Sequence, residues 1–139
     1  DEATALNTSE LLQLVDAQFE EATPTRVSGT IAADERHHQP WGLIHGGLYT
    51  AAIETFATIG AFQAVKQDGA QVVGVSNATD FLRSHRTGRL RVTGEPVHQG
   101  RSYQLWQVEI RTEPLPRTAN GKVMQQVLAG EAENTFIEE

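Results

Sequence analysis

The sequence predicts an α+β protein in which an antiparallel β-sheet curls around one long central helix. Residues 46–66 distribute Leu48, Ala51, Ala52, Ile53, Phe56, Ala57, Ile59, Ala61, Phe62, Ala64 and Val65 over nearly every side of a helix, and a helix that is apolar all round is a buried one. Beyond it, segments with strand-like alternation are separated by Gly88, Gln99-Gly100 and Asn120-Gly121, signals of antiparallel hairpins. The 139 residues have the size of one domain, 1–139, long enough to bury a core without metals or disulfides. One helix and several hairpin strands give a sheet that must wrap the helix.

Each element has a local reason. Thr8-Ser9-Glu10 ahead of Leu11, Leu12, Leu14 and Val15 reads as a capped short helix, with a hydroxyl accepting the first free N–H groups. The N-terminal segment 1–23 is taken as helical, with residues 17–22 ambiguous. Arg26 to Ala33 carry Val27 and Ile31 among Thr and Ser after Pro24, a strand pattern. His37 to Trp41 read as a loop with a solvent-exposed histidine pair. After the long helix, strands are expected from Val72 toward Leu82, from Arg89 to His98, from Tyr103 to Thr112 and from Val123 to Ile137. Asn120-Gly121 suits a type I′ turn before the last of them.

Composition narrows the function. With no cysteine, disulfides, Cys-based zinc sites and thiolate nucleophiles are excluded. The formal charge of −7 disfavours general binding to nucleic acid. No stretch is long and apolar enough to span a membrane and no signal-peptide pattern opens the chain, so a cytoplasmic location is expected. The five histidines show no metal spacing, and phosphate-binding glycine loops and the Gly-x-Ser-x-Gly elbow are absent. No metal and no cofactor are expected.

The chemistry concentrates at the long helix. Glu54 is the only charged residue between His45 and Lys66. Burying an unpaired carboxylate is costly, and desolvation favours its protonated form, which tunes it for acid–base work. Thr50 and Thr58, four residues to either side, share its helical face. Thr58 has two readings, holding water against the carboxylate or bonding back to its own helix. His45-Gly46-Gly47 opens the helix, where free N–H groups and the positive dipole end favour an oxyanion. A polarising helix end and a base on one helix are the minimum for acyl transfer. Arg83, Arg86, Arg89, Arg91 and Arg101 face a single acid, Glu95, within residues 83–101; they read either as solvated strand ends or as a polyanion site.

The run Gln39-Pro40-Trp41-Gly42-Leu43-Ile44-His45-Gly46-Gly47-Leu48-Tyr49, with Glu54 nine residues after the histidine and then Thr58, resembles the hotdog-fold acyl-CoA thioesterases. It looks closest to the PaaI-like group and to the Arthrobacter-type 4-hydroxybenzoyl-CoA thioesterases, over about residues 24–137. The resemblance implies a homodimer or tetramer with active sites between subunits, its sheets joining through the 72–83 strands. It implies Glu54 as general base or nucleophile and the N–H of Gly46, with Gly47, polarising the thioester carbonyl. Gln39 would orient substrate or carboxylate, Thr58 the water, and His45 would support the loop. Arg83, Arg101 and Ser102 would meet the CoA phosphates; CoA is then part of the substrate, not a cofactor. The Arg101-Ser102 pair departs from the small hydroxyl residues that Arthrobacter-type relatives carry after the glycine of that turn. An aryl or medium acyl group is expected, with Trp41, Tyr49, Phe56 and Phe81 as pocket candidates. Two alternatives stand beside hydrolysis: a hotdog protein that binds acyl-CoA without cleaving it, and a hotdog enoyl-CoA hydratase or dehydratase. The missing Pro-Gly element before Gly46 lowers the latter.

Overall fold

The computed structural model describes residues 9–112 and 117–128. In chain order these form helix α1 (Glu10–Val15), strands β1 (Ala17–Thr23) and β2 (Arg26–Ala33), and a 3-10 turn (Glu35–His37). Helix α2 (Gly46–Val65) follows, continued by a 3-10 turn (Lys66–Asp68). Strands β3 (Gln71–Phe81), β4 (Gly88–Gln99), β5 (Tyr103–Thr112) and β6 (Arg117–Leu128) complete the chain. The six strands make one antiparallel sheet in the order β1-β2-β4-β5-β6-β3, and its concave face holds α2.

α1 starts where Ser9 accepts a hydrogen bond from the Leu12 N–H at 3.3 Å and stops at Asp16, whose φ of 56° is left-handed. The helical reading of residues 1–23 therefore needs correction, because Ala17–Thr23 is a strand. Ala17 and Phe19 turn inward onto the core, and Phe19 lies on Phe56 with ring centroids 4.4 Å apart. That period of two is a strand's. Of its two readings, pocket candidate or core aromatic, Phe56 is thus the core residue.

α2 is buried along Leu48, Tyr49, Ala52, Ile53, Phe56, Ala57, Gly60 and Ala61, against Trp106, Val108, Ile110 and Val123. Full burial of the Leu, Ile, Val and Phe side chains among them stabilises by about 1.5–3 kcal/mol each. The sheet covers one side only. Thr50, Ala51, Thr58, Ile59 and Phe62 remain partly exposed and Glu54 exposed, so the all-round apolar pattern exceeds what one chain buries.

Asn120-Gly121 is not a turn. Both residues sit inside β6, Asn120 opposite Asp80 and Glu109, and Gly121 opposite Thr79 and Val108. Gly121 lies beneath α2, where a Cβ would come within 2.6 Å of Thr79 Oγ1 and 3.1 Å of Ile53. The glycine serves close helix–sheet approach. The expected strand residues Ala132 and Phe136 lie outside the described residues. At the other edge, β3 exposes Gly74 to Ala78, a row of unpaired strand backbone that sheets ordinarily cover.

Candidate active site

The segment leading into α2 is held by reciprocal bonds with the β3–β4 connection. Gln39 N–H donates to Leu43 O at 2.8 Å and Gly42 N–H to Gln39 O at 3.1 Å, with Gly42 at a left-handed φ of 80°. Arg86 Nη1 donates to Gly42 O at 3.2 Å, and the His38 ring donates through Nε2 to Arg86 O at 2.7 Å. Ile44 N–H reaches His85 O, and His45 N–H reaches His37 O, each at 2.8 Å. Gln39 Oε1 accepts from Trp41 N–H, which leaves the amide nitrogen of Gln39 as a donor. Trp41 is itself 80% exposed. His37, read as exposed, is buried: Nδ1 accepts from Asp34 N–H at 3.1 Å and Nε2 donates to Leu14 O at 2.6 Å.

His45 caps α2. Its Nδ1 accepts from Gly47 N–H at 2.7 Å, which fixes the ring proton on Nε2. Leu48 N–H is taken by His45 O at 3.0 Å. Of the two glycine amides expected to polarise a carbonyl, Gly47's is therefore occupied. Gly46 N–H, the first of the helix, has no partner among the described residues. Beside it stands Phe81, 3.0 Å from where a Gly46 Cβ would be, with Tyr49 packed behind at a centroid distance of 6.2 Å. Burial pushes the Tyr49 phenol pKa up.

Glu54 lies further along the same helix, over Gly74 of β3, where a Cβ would sit 2.6 Å from its Oε1. It is exposed rather than buried, because this face of α2 is turned from the sheet, and its carboxylate has no partner among the described residues. Thr58 accepts a hydrogen bond from Gln125 Nε2 at 3.1 Å, and Gln125 is the β6 residue opposite Gly74. Its hydroxyl proton stays available beside the Glu54 face. Asn77 Nδ2 donates to Thr50 O at 3.0 Å, tying β3 to the helix one turn earlier. Asn77 and Gly74 were not singled out from sequence, although a glycine inside a strand is a signal of close approach.

Gly46 and Glu54 are eight residues apart, or about 12 Å along the helix axis. One chain therefore cannot aim its own Gly46 N–H and its own Glu54 at one reacting carbon, which needs both at about 3 Å. The arginines disperse as well. Arg86 holds Gly42 O, and Arg91 pairs with Glu20 at 2.7 Å. Arg83 N–H meets Thr118 O at one end of the sheet, whereas Arg101 and Ser102 follow the far end of β4. Twelve strand residues separate those ends, roughly 35–40 Å, so Arg83 and Arg101 do not belong to one polyanion site within a single chain. Among the described residues no group of three or more His, Asp or Glu could hold a metal, and no helix is long and apolar enough to cross a membrane.

A sequence profile of the thioesterase superfamily matches residues 42–119, from the turn before α2 to the middle of the sheet. The chain belongs to the thioesterase superfamily. A provisionally named esterase of Mycobacterium tuberculosis is 39% identical over 113 residues, covering 80% of this chain and 81% of that protein. Its solved structure superposes with a TM-score of 0.84, covering 87% of this chain and 98% of that one at 36% identity. The 1,4-dihydroxy-2-naphthoyl-CoA hydrolase of Escherichia coli is 30% identical over 106 residues, 76% of this chain and 77% of that protein. The proofreading thioesterase EntH of Cronobacter sakazakii is 31% identical over 102 residues, 73% and 74% of the two chains. The architecture is accordingly the hotdog fold, and the thioesterase is a hydrolase of thioesters.

Proposed function

We propose that this thioesterase hydrolyses acyl-CoA of aryl or medium acyl size, in sites shared by two copies of the chain. The observation that carries the reading is the pair of groups on α2 with no partner among the described residues, Gly46 N–H and the Glu54 carboxylate, on residues about 12 Å apart along the helix axis. Two helices packed antiparallel through their uncovered faces bring the Gly46 end of each to the Glu54 of the other. The open β3 edge and the half-covered apolar face of α2 are surfaces that such a homodimer would bury. Further pairing of dimers into a tetramer is compatible with this site.

In that site the thioester oxygen accepts from Gly46 N–H at the positive end of the helix dipole, with the Gln39 amide beside it. The partner's Glu54 takes a proton from water as the water oxygen bonds to the carbonyl carbon. Collapse of the tetrahedral adduct breaks the C–S bond, and the proton returns to the departing thiolate. Attack by the carboxylate itself, through an acyl-glutamyl anhydride, uses the same contacts. Thr58, fixed by Gln125, orients the water or carboxylate. Reversal of ends by the antiparallel pairing carries the partner's Arg101 and Ser102 toward Arg83 and so toward the CoA phosphates. The test is thiol release over a panel of aryl and aliphatic acyl-CoAs with the wild type and Glu54→Gln. Turnover should fall at least 10³-fold in the variant while the dimer persists; near-wild-type turnover would remove Glu54 from the reaction.

A further inference from the structure

We propose that the cavity between α1 and the start of α2 is the acyl subsite, and that it takes an uncharged apolar acyl group. This rests on the thioesterase reading above and adds where the acyl group lies and what chemistry it has. The cavity holds about 310 Å³; Leu11, Leu14 and Val15 of α1 face Leu48 and Ala51 of α2 across it. It reaches His45 and Gly47, the two residues flanking Gly46, so a carbonyl on the Gly46 N–H has its substituents at the mouth. Leu11 and Leu14 are 61% and 47% exposed on a helix of six residues, a large apolar surface left facing this groove. That volume lies at the lower end of the roughly 300–1,000 Å³ of small-molecule pockets, in keeping with a bicyclic aryl or a medium-length acyl chain.

Apart from His45, the ionisable side chains on the lining have partners among the described residues. Arg36 bonds Asp34 at 3.0 Å and lies 3.5 Å from Asp16. Both nitrogens of His37 are used, one of them pinning the last turn of α1 through Leu14 O, and His38 Nε2 holds Arg86 O. Among the described residues the lining holds no arginine or lysine without a carboxylate already beside it, which disfavours this cavity as a CoA-phosphate site or a site for dicarboxylic acyl groups. His45 Nε2–H alone has no partner among the described residues, and it stands at the mouth, where a ring hydroxyl of an aryl substrate would meet it.

Two variants on opposite walls test the assignment: Ala51→Leu, which fills the cavity, and Leu14→Gln, an exposed change on α1 that makes its wall polar. Thiol release is measured with acetyl-, octanoyl-, benzoyl- and succinyl-CoA. The wild type should prefer octanoyl- or benzoyl-CoA to succinyl-CoA, and each variant should lower the octanoyl-to-acetyl ratio of kcat/KM by about 10-fold or more. Folded variants with the wild-type ratio would overturn the subsite while leaving the thioesterase reading intact. Absence of turnover on every thioester would instead remove that reading, and the subsite with it.

Discussion

Gly74→Ala tests the proposed catalytic role of the Glu54 carboxylate without replacing it. The backbone of Gly74 is not at positive φ, so alanine fits the strand, and the loss of glycine's freedom in the unfolded chain favours the fold by about 0.4–1 kcal/mol. The added Cβ, however, would stand 2.6 Å from Glu54 Oε1. Ordinary contact begins near 3.4 Å, so the carboxylate must withdraw by about 0.8 Å, and a misplacement near 1 Å can cost about 10² in rate. Because the clashing atom is the tip of an exposed side chain with no partner among the described residues, it moves at little cost to the fold. Expected are an unchanged or slightly raised Tm, an unchanged elution volume in size-exclusion chromatography, and a kcat lowered about 100-fold with KM nearly constant. The assay is thiol release at saturating acyl-CoA beside a thermal melt. A kcat within threefold of wild type would show that the Glu54 position over Gly74 is not the working one.

The mirror case is Gly60→Ala. Its Cβ would lie 2.4 Å from the ring of Trp106, which is fully buried and fixed by its indole N–H to Gln104 Oε1 at 2.8 Å. Here the neighbour cannot yield, overpacking outweighs the gain in helix propensity, and a loss of about 2 kcal/mol, or roughly 5–10 °C in Tm, is expected in a thermal melt. Acid stability has its own prediction. The hydrogen bond from Arg91, then the charges of Arg91 and Arg89, hold the Glu20 carboxyl below its usual 4.5. A lowered pKa in the fold gives stability that is full above 4.5 and lost as pH falls through the lowered value. Tm between pH 7 and 3 should fall more steeply for the wild type than for Glu20→Gln; parallel curves would count against the pair.

The fold was legible because its signals are local and redundant. The apolar run of α2 and the alternation of β4 and β5 each declare one element. What the sequence concealed came from neighbours distant in the chain. Ala17–Thr23 is a strand because Phe19 finds Phe56, and Asn120-Gly121 is strand interior because Ile53 presses on it. The site was legible as residue types and not as an arrangement. Gln39, Gly46, Glu54 and Thr58 stand out by spacing, but spacing does not reveal that His45 consumes the Gly47 amide, or that Arg86 and Arg91 hold Gly42 O and Glu20. Glu20 of the N-terminal third thus pairs with Arg91, one of the five arginines that the sequence leaves open between solvated strand ends and a polyanion site.

The proposed sharing of each site between two chains has a quantitative consequence. Gly46→Pro removes the N–H proposed to polarise the carbonyl while suiting the first helical position, and His45 already has the extended backbone, φ −66° and ψ 134°, that a following proline requires. The tight neighbour, Phe81, is 56% exposed and can turn aside. Loss of one such donor is expected to cost about 10²–10³ in kcat. Glu54→Gln alone should be inactive too. Each variant homodimer then has two defective sites, but a heterodimer of the two variants pairs the intact Gly46 of one chain with the intact Glu54 of the other. Its remaining site carries both defects. Random reassociation makes about half of the dimers mixed, so about a quarter of wild-type turnover should return. Unfolding, mixing and refolding the two variants at equal concentration, with each alone as control, measures it. No recovery, with dimers confirmed by light scattering, would mean that Gly46 and Glu54 do not act across the subunit boundary.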